Sequence, residues 1–368
     1  MPTTRDVQEL RTNFQKWLKH ILPQGADPQV GPVTSPEATG MSSETLFFEA
    51  KWRQDGQLRH ENLVARMAPE TTAFPVFPQY DLELQYRCLK LMQEQTQVPV
   101  PPVYWYEPDP GHTGSAFFIT GKVVGDVPPD MMPYTMQGWV LELSADQRTK
   151  LQRNALKTLA EIHSLDTSNP ALDFLNRPQY GQGVIEQHLN YQQFYYDWAK
   201  GQDRYPVIED AFVWLNDNRP PEPQTATITW GDSRIGNMIF QDLAPVAVLD
   251  WEMAALGPPE VDLAWFFQMH TFFANLAERY GMPGIPGFQR RPDVMATYQE
   301  FSGRQLANFK FWEVFAQLRY AIVSIRTSER AIQMGQMDAT DSLEERIMNA
   351  DLLRSVCTGN FWDSPLAQ

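Results

Sequence analysis

Asp232 and Asn237 stand five residues apart in ITWGDSRIGNMIF (228–240), around Gly236 and between two β-branched segments. Thirteen residues after Asn237, an apolar run ends in Asp250, within AVLDWE. Phosphoryl transfer to a hydroxyl asks for few protein groups. It needs a carboxylate near the acceptor, oxygen ligands for Mg²⁺, and cations on the phosphates. A hard cation of this kind takes one or two carboxylates together with phosphate oxygens and waters. Asn237 and Asp250 have the right oxygens for that task. Asp232 is placed to act as the base, and Arg234, two residues on, is placed to reach the transferring group. An Asp and an Asn in a turn are common by themselves. Asp250 and the apolar flanks are what make the set read as a site.

Those residues need a hairpin to hold them. The strand signals are Ala226–Trp230, Met238–Gln241 and Val246–Leu249, and helices surround them at about 145–164, 184–200, 206–217, 258–270, 291–303, 306–331 and 341–355. The chain before residue 126 reads differently. A helix at about 4–20 carries Val7, Leu10, Phe14 and Leu18 on one face. Residues 29–67 read as a three-stranded antiparallel meander with an Asp55-Gly56 turn. Its last arm sets Leu63, Ala65 and Met67 on one face, with Val64 and Arg66 on the other. A helix over QYDLELQYRCLKLMQEQ follows, with Gln85 facing inward and Glu83 facing solvent beside Arg87. A second hairpin turns near Pro110-Gly111, and its second strand, Phe117–Thr120, runs into GKVVGD. The expected fold class is α+β with two lobes. Residues 1–28 form a helical extension, 29–122 a small antiparallel-sheet lobe, and 123–368 a larger, mainly helical lobe.

The bulk properties agree with a large globular chain. Its 368 residues exceed one compact core, and 43% are hydrophobic. A net charge of −15 argues against a nucleic-acid footprint and against an anionic membrane surface. The two cysteines are far apart, the first residues show no signal-peptide pattern, and no apolar run approaches the length of a bilayer span. The expectation is a cytoplasmic protein. The six histidines form no HExxH and pair with no cysteine, so no zinc site is expected. Gly111, Gly114 and Gly121 are expected to serve turns. The aromatics at 191–198 are expected to serve packing.

At WGDSRIGN and LDWEMAALGPPEVDLAW the chain resembles the aminoglycoside phosphotransferase family, which shares the protein-kinase-like fold. The branch most similar to it is the kinase-like domain fused to some acyl-CoA dehydrogenases. The Asp-x₄-Asn spacing resembles a protein-kinase catalytic loop, and the later Asp resembles the metal-binding aspartate. The resemblance covers most of the chain after residue 28. It implies ATP and Mg²⁺ as cofactors and a hydroxyl-bearing small molecule as acceptor. It implies Asp232 as base and Asn237 and Asp250 as metal ligands. Arg66 is implied as the phosphate-pairing cation, with Gln85 or Glu83 as its partner. TGMSSETLFF would cover the nucleotide, and the hinge through Thr120, Lys122 and Val123 would meet adenine. It also implies that Asp262 braces the catalytic loop from behind, while His163 is a structural residue at a helix end.

Three features depart from the family pattern. Trp230 stands where the family has histidine, Gln85 where it has an inward glutamate, and the nucleotide-covering loop has one glycine. Three readings follow. An aminoglycoside-like acceptor would need a carboxylate-rich cleft, for which Glu252, Glu260, Asp262 and the acidic segment 341–351 are the places to look. A hydroxyacyl-CoA acceptor would need cations such as Arg177, Arg326 and Arg330. A pseudokinase would bind nucleotide without turnover. The acceptor, ATP versus GTP, and the oligomeric state stay open at this level.

Overall fold

The computed structural model describes residues 5–35, 43–69, 74–340 and 342–367. The expected nucleotide-covering turn around Gly40 lies outside the described residues. The chain divides into two compact units, Met1–Glu94 with Val100–Val124 and Gln95–Pro99 with Gly125–Gln368.

In the first unit, α1 (Val7–Ile21) is followed by β1 (Gln29–Val30), β2 (Glu44–Gln54) and β3 (Gln57–Met67). Then come α2 (Leu82–Gln95), β4 (Val103–Glu107) and β5 (Phe117–Gly121). The strands form one sheet in the order β1-β2-β3-β5-β4, antiparallel throughout. β2 and β3 pair along their whole length around the Asp55-Gly56 turn, where both residues adopt positive φ. That conformation is why Asp-Gly is favoured there.

Strand alternation sets the two faces of this sheet. Leu63, Ala65 and Met67 are buried in one core with Leu46, Phe48, Phe117 and Ile119, and α1 lies in that same core. Arg66 points to the opposite face and donates to Thr45 Oγ1 at 2.9 Å. The helix is more than an appended segment. Phe14 stacks on Phe48 at 4.9 Å, Trp17 meets Phe117 edge-on at 4.8 Å, and Trp17 Nε1 donates to Glu107 at 2.8 Å. Asp6 caps α1 by accepting from Gln8 N–H at 2.8 Å.

The second unit is mainly helical. It contains α3 (Trp139–Glu142), α4 (Ala145–Ile162), α5 (Val184–Ala199) and α6 (Pro206–Asp217). Four short strands follow: β6 (Thr227–Thr229), β7 (Met238–Gln241), β8 (Ala244–Val248) and β9 (Ala255–Gly257). The remaining helices are α7 (Glu260–Arg279), α8 (Arg291–Ser302), α9 (Phe309–Gln333) and α10 (Ala350–Thr358). β7 pairs with β8, and β6 with β9, so two small ribbons frame the loops at 230–237 and 249–254. α7 and α9 are buried along most of their length and form the scaffold behind those loops.

Two helix boundaries differ from the sequence expectation. α7 runs on to Arg279 because TFFANLAER stays apolar, and the chain turns only at Gly281, with φ +67°. The expected helix at 341–355 is instead a 3₁₀ turn at Leu343–Arg346 followed by α10. Tertiary bonds interrupt it. Ser328 Oγ–H donates to the Arg346 carbonyl at 2.9 Å, and Asn349 Nδ2–H donates to Gln317 O at 2.9 Å. Such bonds compete with helical pairing. Among the described residues, no helix is long and apolar enough to cross a membrane.

Phe14 has no exposed surface. Phe14→Ala is therefore expected to destabilise the first unit by about 3–5 kcal/mol. The check is the chemical-denaturation midpoint, and an unchanged midpoint would make α1 a dispensable appendage.

Candidate active site

The loop between β6 and β7 is fixed by a carboxylate beneath it. Asp262, fully buried in the first turn of α7, accepts Trp230 N–H at 2.7 Å on Oδ2 and Gly231 N–H at 2.7 Å on Oδ1. Its own backbone carbonyl accepts Ser233 Oγ–H at 2.6 Å. Oδ2 also meets His163 Nε2 at 2.9 Å, while His163 Nδ1 meets the Tyr298 hydroxyl at 2.8 Å. For a neutral ring, the assignment that suits both partners is Nε2–H donating to Asp262 and Nδ1 accepting from Tyr298. His163 is thus the structural residue that the sequence implied, and it anchors the end of α4 to the loop.

Gly231 allows this loop to close. Its φ is +91°, and a Cβ there would lie 2.2 Å from the Met253 carbonyl oxygen. Only glycine accepts both conditions.

Asp232 is 9% exposed, and both of its carboxylate oxygens are occupied. Oδ1 accepts Trp265 Nε1–H at 2.6 Å and Arg234 Nε–H at 3.0 Å. Oδ2 accepts Asn237 Nδ2–H at 2.7 Å. Burial pushes the carboxyl up, but the Arg234 charge and the bonds from Arg234, Trp265 and Asn237 outweigh it and hold it below the usual value. Asp232 is therefore ionised at neutral pH. Arg234 also pairs with Asp130, an ion pair that the close approach at Gly236 makes room for, since a Cβ there would lie 2.4 Å from Asp130 Oδ1. Desolvation opposes the guanidinium charge, yet the two carboxylates raise its pKa well above the usual value.

Asn237 links this loop to the next. Its carbonyl accepts Leu249 N–H at 2.9 Å, which sets Asp250 just beyond the β7–β8 ladder. Asp250 is half-buried and has φ +59°, a left-handed conformation that aspartate tolerates better than most residues. With Nδ2 given to Asp232, the Asn237 amide has Oδ1 left to offer a cation. One carboxylate and one amide oxygen fit Mg²⁺, whose other ligands are phosphate and water. Among the described residues, no three His, Cys, Asp or Glu side chains cluster as a preformed metal cage.

Trp230 answers the question its position raises. It is fully buried, and its Nε1–H donates to Leu249 O at 2.8 Å and to Asp250 O at 3.2 Å. The indole ties the Asp232 loop directly to the Asp250 turn. Its ring also packs against Trp251, with centroids 6.2 Å apart.

The structure brings Asp232, Arg234 and Asn237 into direct contact and joins Asp250 to them through two backbone links. The other expected nucleotide residues lie in the first unit. Thr120 is buried within β5, paired with Val64 and Val103. Lys122 N–H is committed to Asn62 O at 2.8 Å, and its Nζ lies 4.9 Å over the Phe47 ring. Val123 follows at half exposure. Gln85 is buried on the inner face of α2, and Glu83 is exposed and 3.8 Å from Arg87.

Three contributors were not foreseen from sequence: Asp130, Trp265 and Arg319. Trp265 had a signal, because it follows Asp262 by three residues on one helix face. One side chain holds the loop amides and the other holds Asp232.

A model of the phosphotransferase enzyme family matches residues 43–294. Curated relatives include the probable acyl-CoA dehydrogenase IBR3 of Arabidopsis thaliana, 27% identical over 258 residues, covering 66% of this chain and 30% of that protein. Acyl-CoA dehydrogenase family member 11 of Homo sapiens is 25% identical over 250 residues, covering 67% of this chain and 29% of that protein. The chain thus spans about a third of the length of these relatives. A solved structure described as a putative aminoglycoside phosphotransferase from Ralstonia eutropha is similar, with TM-score 0.66, 21% identity, and 96% of this chain and 98% of that one covered. An ethanolamine kinase of Plasmodium vivax matches with TM-score 0.58 and 10% identity, covering 94% of this chain and 86% of that one. At these identities the structures establish the fold, and the expected α+β kinase-like class is borne out.

Trp230→Phe keeps most of the ring and removes the bond to the Leu249 carbonyl. The expected cost is about 1–3 kcal/mol, with faster hydrogen exchange across residues 249–254. Gly231→Ala should cost at least about 1–2 kcal/mol from its φ alone, with the clash added. Both are read by thermal melting and by exchange mass spectrometry. Protection at 249–254 unaltered by Trp230→Phe would remove the indole as the link.

Proposed function

The chain belongs to the phosphotransferase enzyme family, and from that premise we propose that it moves the γ-phosphoryl group of ATP, held with Mg²⁺, to a hydroxyl of a small molecule. The observation that carries this reading is the joined set Asp232, Asn237 and Asp250, in which one asparagine amide bonds the first and its carbonyl positions the strand that leads to the last.

Asp232 orients the acceptor hydroxyl and accepts its proton as the new P–O bond forms. Its low basicity suits a loose transition state, in which the proton leaves late and positioning does most of the work. Asn237 Oδ1 and Asp250 would hold Mg²⁺, and the charge supplied there would offset that of the phosphates. In the first unit, Arg66 and Gln85 are proposed for phosphate, and the segment through Thr120, Lys122 and Val123 for adenine. Arg234, already bound to two carboxylates, acts first by holding Asp232, and it reaches the transferring phosphoryl group only by exchanging a partner.

For the acceptor, the acidic residues decide more than the basic ones. Glu260 is 5% exposed, its carboxyl pushed up by burial, and it accepts Ala307 N–H at 2.7 Å. Asp262 is spent on the loop. Glu344 pairs with Arg354, and Asp351 lies 3.0 Å from Arg279. Those carboxylates are engaged within the protein, and the names of the curated relatives favour an acyl-CoA-linked hydroxyl over a polycationic aminoglycoside. Arg177 and Arg326, both considered for CoA phosphates, are likewise engaged within the protein. Arg177 donates to Ala254 O at 3.0 Å, and Arg326 lies 2.8 Å from Glu329. The pseudokinase reading draws on Trp230 and Gln85; the bonds of the Trp230 indole brace the loop, which removes the first of these as an argument against turnover.

The test is Mg²⁺–ATP consumption across hydroxyacyl-CoA and aminoglycoside panels. Asp232→Asn should lower kcat by about 10²–10⁴-fold, and Asp250→Asn, which tolerates the same left-handed φ, should raise the Mg²⁺ concentration needed for activity. A wild-type protein that binds neither ATP nor GTP with Mg²⁺ would sink the proposal. Nucleotide binding with no acceptor turned over would return the pseudokinase.

A further inference from the structure

Arg319 lies on α9 with 3% of its surface exposed. Its Nη2 donates to the Gly231 carbonyl at 3.0 Å and approaches Met253 Sδ at 3.6 Å. Its guanidinium lies 4.5 Å over the Trp265 ring and 5.7 Å from that of Phe315. Nε and Nη1 are buried and, among the described residues, meet no hydrogen-bond partner. Burial lowers its pKa to about 10, against the attraction of Asp262 and Asp232, so the group is still charged at neutral pH.

An under-satisfied buried cation is costly. Packing alone would be met as well by a long apolar side chain, so the contacts it makes need another account. They converge on Asp232 by two routes. One is the carbonyl of the residue immediately before it. The other is Trp265, whose Nε1–H donates to Asp232 Oδ1 at 2.6 Å. A cation over an indole face draws electron density from the ring and strengthens its N–H as a donor.

We propose that Arg319 is a positioning residue for Asp232, fixing the loop carbonyl at Gly231 and, through Trp265, the carboxylate itself. This rests on the reading of Asp232 as the acceptor-orienting group. The remaining charged and titratable groups nearby have other duties. Arg234 holds Asp232 by an ion pair, Asp130 pairs with Arg234, and Asp262 holds the loop amides. Arg177 holds the Ala254 carbonyl, Tyr191 lies beneath the Arg177 guanidinium, and burial leaves His188 neutral, with its pKa lowered to about 3.

The test reads the Trp265 indole N–H in ¹H–¹⁵N spectra of the whole protein, assigned by its loss in Trp265→Phe. In Arg319→Met the resonance should move upfield and its solvent exchange should quicken by about tenfold. Arg319→Lys retains a cation over the ring and should stay within about threefold of wild type. With Mg²⁺–ATP and water as the acceptor, kcat of Arg319→Met should fall about tenfold with the nucleotide KM unchanged.

An unmoved resonance in a less stable Arg319→Met would make Arg319 a packing residue and overturn the proposal. If Arg319→Met does not fold, Trp265→Phe carries the test. It keeps the stack but lacks the donor, so its kcat should fall at constant KM, and a wild-type kcat refutes the link. Asp232→Asn separates the two levels. Wild-type hydrolysis in that variant defeats the reading of Asp232 itself. An inactive Asp232→Asn beside an unmoved Trp265 resonance defeats only the role given to Arg319.

Discussion

The Asp262 carboxylate bears the load of the second unit. It lies where the N-terminus of α7 favours negative charge, and it collects the amides of Trp230 and Gly231 together with the His163 ring. Three elements meet at this one group: the end of α4, the start of α7 and the loop after β6. Without it, two buried backbone donors would lack acceptors, and each such loss costs of order 1–3 kcal/mol. The position of Asp232 is a consequence of that bracing. The loop is held from its backbone, which leaves the Asp232 side chain to be aimed by Trp265, Arg234 and Asn237.

A second layer couples the loop to the turn that carries Asp250. Trp230 reaches forward to the Leu249 and Asp250 carbonyls, while Asn237 receives the Leu249 amide. Gly231 meets the Met253 carbonyl at a distance that no side chain tolerates. These ties let Asp250 hold a left-handed φ, a strained state that persists only where the surroundings over-determine it. Histidine is not required at position 230. What the position requires is a buried donor long enough to span the two loops, and an indole meets that requirement.

Much of this was legible in the sequence, for stated reasons. The β2–β3 hairpin follows from Asp55-Gly56 and the alternation of Leu63 to Met67. Asp232, Asn237 and Asp250 follow from spacing, because a short loop and hairpin leave little freedom between them. The bracing role of Asp262 followed from the resemblance. Other features depend on distant partners and had no local sign. Asp130 lies in a proline-rich loop and meets Arg234 across more than a hundred residues. Arg319 reads as one more cation on an amphipathic helix. The segment at 341–355 has a helical pattern, but Asn349 and Arg346 bond to α9 and break it. Local propensity yields there to tertiary hydrogen bonds.

The charge balance around Asp232 bears on how the site works. A strong general base would be raised by burial and left with a free oxygen. Asp232 instead accepts three hydrogen bonds, lies beside a guanidinium and is held below the usual carboxylate range. Its proton affinity is weak, and its orientation is tightly fixed. In the proposed reaction such a group would present the acceptor hydroxyl in line, while cations on the phosphates lower the barrier. The cost falls on the acceptor. To reach Oδ1 or Oδ2 it must share an oxygen with Trp265, Arg234 or Asn237. Arg234 is the most readily displaced of the three, because Asp130 remains to hold its charge. Engagement of the hydroxyl would then loosen the Arg234–Asp232 pair and bring a guanidinium toward the phosphoryl group as the reaction begins.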